Sequence, residues 1–153
     1  MASILGQIAN KSTSNCINKD EVYIATVPLR ASKGPGQLLM STAYSLNFWN
    51  LKHYMVIIKP SFPQFNEALV YDFQPKNPEN ILVAITALSG KKVPGVILER
   101  KLRKIPRKNC WFVGCSNRDE DGIHHFNESW DKYLKINHHD CTDYTKGGYS
   151  FTS

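Results

Sequence analysis

The chain has 153 residues, 42% of them apolar and 21% charged, and a formal net charge of +6. That size suits one domain with a sizeable core, and that composition excludes a generally disordered chain. No apolar run approaches the ~18–20 residues a membrane helix needs. Four cysteines are too few for a small disulfide scaffold, and no secretory-type apolar segment precedes them. The thiols are therefore expected to be reduced and the chain intracellular, in the cytoplasm or in a chloroplast or mitochondrion.

Residues 1–20 read as a flexible N-terminal segment, with no acid before Asp20 and two Ser/Thr clusters, ahead of one domain over 21–153. Val22–Leu29 reads as a strand, and Lys33-Gly34-Pro35-Gly36 as a break. Leu39, Ala43 and Leu46 then recur at helical spacing within Gln37–Trp49. Lys52–Lys59 and Ala68–Phe73 are two β-branched-rich runs joined by the proline-containing stretch Pro60–Asn66, which predicts a hairpin. Asn77-Pro78-Glu79 predicts a helix start, with Asn77 as the cap, a buried stripe of Ile81, Leu82, Ile85 and Leu88, and an end at Gly90. Gly95–Ile105 alternates as a strand, with Val96, Leu98 and Leu102 to one side and Glu99, Lys101 and Arg103 to the other, and Pro106 closing it. Cys110–Gly114 is a further strand, and Arg118–Gly122 a charged loop. Phe126, Trp130 and Leu134 mark a short amphipathic helix. The order predicts an α+β domain built on an antiparallel sheet with a central hairpin and helices packed on it.

The charge is concentrated. Residues 91–108 carry eight cations (Lys91, Lys92, Arg100, Lys101, Arg103, Lys104, Arg107 and Lys108) against one acid, more than the whole net excess. Such a segment is either a solvated strand edge or a face for an anionic lipid surface or an acidic protein. Its apolar neighbours are aliphatic, and bases stack on aromatics, so nucleic acid is not the expected partner.

A cysteine enzyme needs a thiol, a His to take its proton and a polar group to orient that His. Cys141 follows the polar turn Asn137-His138-His139-Asp140 and stands where a helix can begin. His53 opens one strand of the hairpin and Asp72 lies near the end of the other. Pairing His53 with Asp72 would also set Met55 against Val70, so register and burial agree. The plainer alternative is a small buried Cys141, a surface His53 and a polar strand end at Asp72. Zinc is a further reading, from Cys110, Cys115, Cys141 and the pairs His124-His125 and His138-His139. The spacings match no tight zinc motif, and adjacent histidines offer one ligand per pair. No metal or other cofactor is expected.

His53-Tyr54-Met55-Val56-Ile57-Ile58, Leu69-Val70-Tyr71-Asp72-Phe73 and His139-Asp140-Cys141-Thr142-Asp143-Tyr144 together resemble the permuted papain-like fold. That group includes the lecithin–retinol acyltransferases, the NlpC-type cell-wall peptidases and deubiquitinase-like proteins. The resemblance spans roughly residues 50–145. It implies a thiol hydrolase or acyltransferase acting on an ester or amide of a small molecule, lipid or peptide, with His53 as base, Asp72 as orienting residue and Cys141 as nucleophile. Asp140 replaces an Asn before the Cys, and Thr142-Asp143-Tyr144 replaces a Glu-His-Phe run. The long helix that follows the family's Cys is expected to stop after about two turns, at Gly147-Gly148. The alternative it leaves is a catalytically inactive papain-like module that binds through the 91–108 face.

Overall fold

The computed structural model describes residues 16–28, 52–61, 67–116 and 121–152. The expected break at 33–36, the helix over 37–49, and most of the N-terminal segment and of the 60–66 loop lie outside the described residues. So does Arg118–Glu120 of the charged loop.

The described residues form an α+β fold on one six-stranded antiparallel sheet. Its strands are β1 (Glu21–Pro28), β2 (Lys52–Lys59), β3 (Ala68–Pro75), β4 (Val93–Leu102), β5 (Cys110–Cys115) and the two-residue β6 (Tyr133–Leu134). Three helices accompany them: α1 (Ile81–Leu88), α2 (Asp121–Ser129) and α3 (Cys141–Thr152). The spatial order is β5-β1-β2-β3-β4-β6. Among the described residues no helix is long and apolar enough to cross a membrane.

Alternation along the strands divides the side chains between two faces. One face carries Val22, Ile24, Tyr54, Val56, Ile58, Tyr71 and Phe73, all buried, and α2 and α3 cover it with Ile123, Phe126, Tyr144 and Tyr149. The other carries Ala25, Ile57, Ala68 and Val70, with Tyr23, Met55, Leu102, Ile105 and Cys110 packed against them. The 103–109 connection covers part of this second face. It leaves β4 beside Ala68 and enters β5 beside Ala25, four strands away. Four inter-strand steps span about 19 Å, and eight residue steps reach at most about 28 Å. The crossover therefore spans the sheet with slack to spare, and it bends at 103–104 and 107–109. Ile105 anchors it on the second face, and Asn109 O accepts from Thr26 N at 2.9 Å.

The β2–β3 hairpin forms with a register two residues from the expected one. Ile57, fully buried, stands opposite Val70 where Met55 was expected. An even offset leaves every side chain on its face, and it brings the better-buried residue of the pair into the second cluster. The ladder runs only from Ile58↔Leu69 to Val56↔Tyr71, so it stops short of His53 and Asp72.

Three local expectations are corrected. Helix α1 is capped by Asn80, not Asn77: Asn80 Oδ1 accepts from Leu82 N at 2.9 Å, and Asn77–Glu79 form a preceding turn. Its buried residues are Ala84 and Ala87, while Ile81, Leu82 and Ile85 are 42–70% exposed. Leu134 belongs to β6 rather than to the second helix, which ends at Ser129. Lastly, Cys16 and Cys115 are joined in a disulfide with 5.6 Å between their Cα atoms. Ser116 N donates to Asp20 O at 2.8 Å there, which zips the start of β1 to the end of β5. A 99-residue separation hides that juxtaposition from the sequence. It leaves Cys110 and Cys141 as the free thiols among the described residues, so the expectation of wholly reduced thiols does not hold.

Candidate active site

Helix α3 runs for twelve residues, not two turns. Gly147 does not stop it because close packing needs a glycine there. A Cβ at that position would lie 2.7 Å from the Phe126 ring. The helix thus settles onto α2 and the sheet, and Tyr144, fully buried, donates from its hydroxyl to Asn127 Oδ1 at 2.7 Å.

Cys141 is the first residue of this helix, and Asp140 caps it. Asp140 Oδ1 accepts from Thr142 N at 2.9 Å and from Asp143 N at 3.4 Å. In return Asp143 Oδ2 accepts from Asp140 N at 3.1 Å, which completes a reciprocal capping box. Asp140 Oδ2 also accepts from Asn137 N at 2.8 Å, closing the turn in which Asn137 has a φ of 66°. The preceding turn is held by His139, whose ring stacks on Trp130 at 4.1 Å and on Tyr133 at 4.5 Å. Asp140 thus caps the helix and fixes where Cys141 stands.

The start of β2 meets this helix start. Cys141 Sγ donates to Lys52 O at 3.6 Å, which sets the thiol beside the residue that precedes His53, and Cys141 is among the side chains that raise the His53 ring. His53 Nε2 donates to Asp72 Oδ2 at 2.7 Å. That bond assigns the tautomer and leaves Nδ1 as the ring nitrogen that Asp72 does not engage. Asp72 is 1% exposed and His53 7%. The other carboxylate oxygen, Asp72 Oδ1, accepts from Arg100 Nη2 at 2.8 Å.

Burial alone would push the His53 ring down. The Asp72 hydrogen bond and the hydrogen bond and charge of Cys141 outweigh it and raise the imidazole from 6.5 to about 9. Burial would raise Asp72, but the bond and charge of His53, then the charge and bond of Arg100, hold it below its ordinary value. Burial raises Tyr54 as well, and the negative charge of Cys141 adds to the rise, which places the phenol in the field of the thiol. Cys110 has burial and no helping cation, and its thiol is pushed up to about 11.

The three residues read from the sequence as nucleophile, base and orienting group thus come together. They do so by a diagonal reach across the end of the β2–β3 ladder, not by the direct cross-strand pairing expected. The eight basic residues do not act as one group. Arg100 turns to Asp72, Lys101 pairs with Glu67 at 3.8 Å, and Lys92 lies over the Tyr133 ring at 4.4 Å. Lys91, Arg103, Lys104, Arg107 and Lys108 are exposed and make no ion pair among the described residues. Sequence reasoning missed Arg100 as a neighbour of the site, and it missed the roles of His139, Asp143 and Tyr54. The alternation of β4 carried a signal for Arg100, since it shares a face with Leu98 and Leu102. Among the described residues no three His, Cys, Asp or Glu side chains converge as metal ligands, and Cys115 of the candidate zinc set is spent in the disulfide.

No family model, curated protein or solved structure matches the chain.

Proposed function

We propose that this chain is a thiol hydrolase or acyltransferase of permuted papain-like architecture, acting on an ester or amide. The observation that carries the reading is the buried His53–Asp72 pair at 2.7 Å beside a cysteine that opens a capped twelve-residue helix. Support also comes from the chain order His, Asp, Cys. It comes as well from α3, whose length removes the main departure from the family pattern.

In this reading Nδ1 of His53 takes the Cys141 proton, and the sulfur attacks the substrate carbonyl carbon. A thiolate there sits at the positive end of the α3 dipole. The carbonyl π electrons move to oxygen, then return to expel the alkoxide or amine, which leaves with the proton from Nδ1. The product is a thioester on Cys141. Water or an acceptor alcohol or amine then attacks it, with His53 taking the attacker's proton and returning it to sulfur. Asp72 keeps the ring in one tautomer and stabilises its charged form throughout. No cofactor enters these steps.

The test is covalent capture. The protein is incubated with a p-nitrophenyl ester and quenched in acid. Peptide mass spectrometry is expected to find the acyl group on Cys141, removed by hydroxylamine, and lost in Cys141→Ala and His53→Gln. Acylation of Cys110 alone, or equal labelling in His53→Gln, would overturn the reading.

A second reading, the inactive binding module, rests on Arg103, Lys104, Arg107 and Lys108, all exposed along the 103–109 crossover. It expects salt-sensitive sedimentation with anionic vesicles and no thioester in the capture assay.

A further inference from the structure

We infer that Arg100 is a positioning residue of the candidate active site, fixing the Asp72 carboxylate from the side away from His53 and closing an alternating chain of charge from Cys141 to β4. This inference rests on the thiol reading proposed above and concerns a residue that reading does not use.

The placement follows from strand register. Val70 stands directly opposite Arg100, and Asp72 opposite Leu98. Cross-strand partners share a face, so Arg100 and Asp72 are diagonal neighbours on the face that carries Val70. A diagonal neighbour is ~7–8 Å away between Cα atoms, within the span of an arginine side chain. The guanidinium meets Oδ1 at 2.8 Å while Oδ2 is engaged by His53 at 2.7 Å. A carboxylate held at one oxygen can swing about its Cβ–Cγ bond. Held at both, by side chains from strands on either side, it has one orientation. The lone pairs of Oδ2 are thereby kept for the His53 Nε2–H.

Charge balance gives Arg100 a second effect. When the Cys141 proton moves to His53, the buried set becomes thiolate, imidazolium and carboxylate, with a net charge of −1. Uncompensated charge in a buried site is costly. Arg100 brings the sum to zero and alternates in sign: Cys141 negative, His53 positive, Asp72 negative, Arg100 positive. Its side chain is 53% exposed, so its own desolvation is slight, while the carboxylate it meets is 1% exposed. Beside Cys141 stand the capping carboxylates Asp140 and Asp143, which are acids, while Tyr144 from α3 feels Asp72 and Tyr54 from β2 feels Cys141. The two phenols are neutral with raised pKa, and none of these four groups supplies a compensating cation.

Arg100→Met removes the charge and keeps the apolar stem. Arg100→Lys keeps the charge and loses the planar fork. Two readouts apply to the full chain: the Asp72 carboxyl titration by carbon-13 NMR, and the pH dependence of iodoacetamide alkylation of Cys141, mapped by mass spectrometry with Cys110 as internal reference. In Arg100→Met the Asp72 midpoint is expected to rise by about one pH unit, and alkylation of Cys141 at pH 7 to fall by about tenfold. Arg100→Lys should recover most of the alkylation rate, and Cys110 should be unchanged in both. Wild-type values for Asp72 and Cys141 in Arg100→Met would overturn the inference. Equal losses in the two variants with faster alkylation of Cys110 would overturn it too, since that pattern is loosened structure. If wild-type Cys141 alkylates no faster than Cys110 at pH 7, the thiol reading fails, while the Asp72 titration still decides what Arg100 does.

Discussion

On the helix-covered face of the sheet, Phe73, Tyr144 and Val56 are fully buried among aromatic rings. On the opposite face, Ile57 and Val70 share the surface with His53, Asp72 and Arg100. The first face is held by apolar area and dispersion, which depend little on pH. The second is held partly by ions, whose contribution depends on which protons are bound. Cys141 stands between them, on a helix seated by the first face and beside a histidine tuned by the second. A perturbation of either face should reach the thiol, but only one should do so with a pH signature.

The largest expected effect is on the aromatic face. Phe73 is fully buried and packs edge-on against Trp130 at 5.7 Å and His139 at 5.8 Å. Phe73→Ala should cost about 3–5 kcal/mol, a fall in Tm of roughly 10 °C or more for a domain of this size. Thermal unfolding should show the same loss at pH 6 and at pH 9. A loss that changes with pH would mean that the two faces are not separable.

The charged face should do the opposite. His53 is raised in the folded protein from 6.5 to about 9. A raised group contributes stability that is fully present below the unfolded value and is lost as pH rises through the folded one. Stability should therefore decline between about pH 6.5 and pH 9, by up to about 3 kcal/mol for a shift of this size. Asp72, held low, has the reverse sign: its contribution is present above its ordinary value and is lost as pH falls through the folded one. Urea unfolding across pH checks both. Asp72→Asn should flatten the alkaline decline, and Cys141→Ser should reduce it, since Cys141 is among the causes of the rise. An unchanged decline in Asp72→Asn would show that His53 takes its tuning from elsewhere.

Gly147→Ala is smaller and tests how the helix is seated. A methyl would meet the Phe126 ring at 2.7 Å. Overpacking costs about 1–3 kcal/mol, and the gain in helix propensity returns about 1 kcal/mol. The net expectation is a loss of about 1 kcal/mol with slower Cys141 alkylation, because α3 must lift. A stabilised protein would mean that Phe126 yields freely and that the glycine only tolerates the contact.

The sequence made the strands legible and left the helices half-hidden. The run Lys52–Lys59 coincides with β2 to the residue, because β-branched residues with a charge at each end leave little choice. His53 and Asp72 were legible as a pair, because parity fixes the face even when the register moves by two. What could not be read was how close a helix comes to the sheet. Gly147-Gly148 looks like a helix stop when only propensity is counted, and it becomes a contact surface once Phe126 is above it. The Cys16–Cys115 bridge and the Arg100–Asp72 bond were hidden for another reason: each joins residues whose nearness depends on strand order, which no local pattern encodes.

Helix α1 supplies the smallest effect and the sharpest contrast with α3. Its sequence, Ile-Leu-Val-Ala-Ile-Thr-Ala-Leu, carries a strong apolar stripe, yet its inward residues are Ala84 and Ala87 and Leu82 is 70% exposed. Small residues inward let the helix backbone approach its neighbour, as the glycines do in α3, and the bulky residues are left outside. Leu82→Gln should therefore change stability by less than about 0.5 kcal/mol, the range of ordinary surface substitutions. Ala84→Leu, on the inward side of the same helix, should cost about 1–3 kcal/mol through overpacking. Urea unfolding of the two variants, with an unchanged m-value, makes the comparison directly. A cost above about 1.5 kcal/mol for Leu82→Gln would mean that the outer face of α1 is covered in solution. The bulky residues of α1 would then be buried as Tyr144 is in α3, and the contrast between a helix with its large side chains outside and one with a large side chain inside would no longer hold.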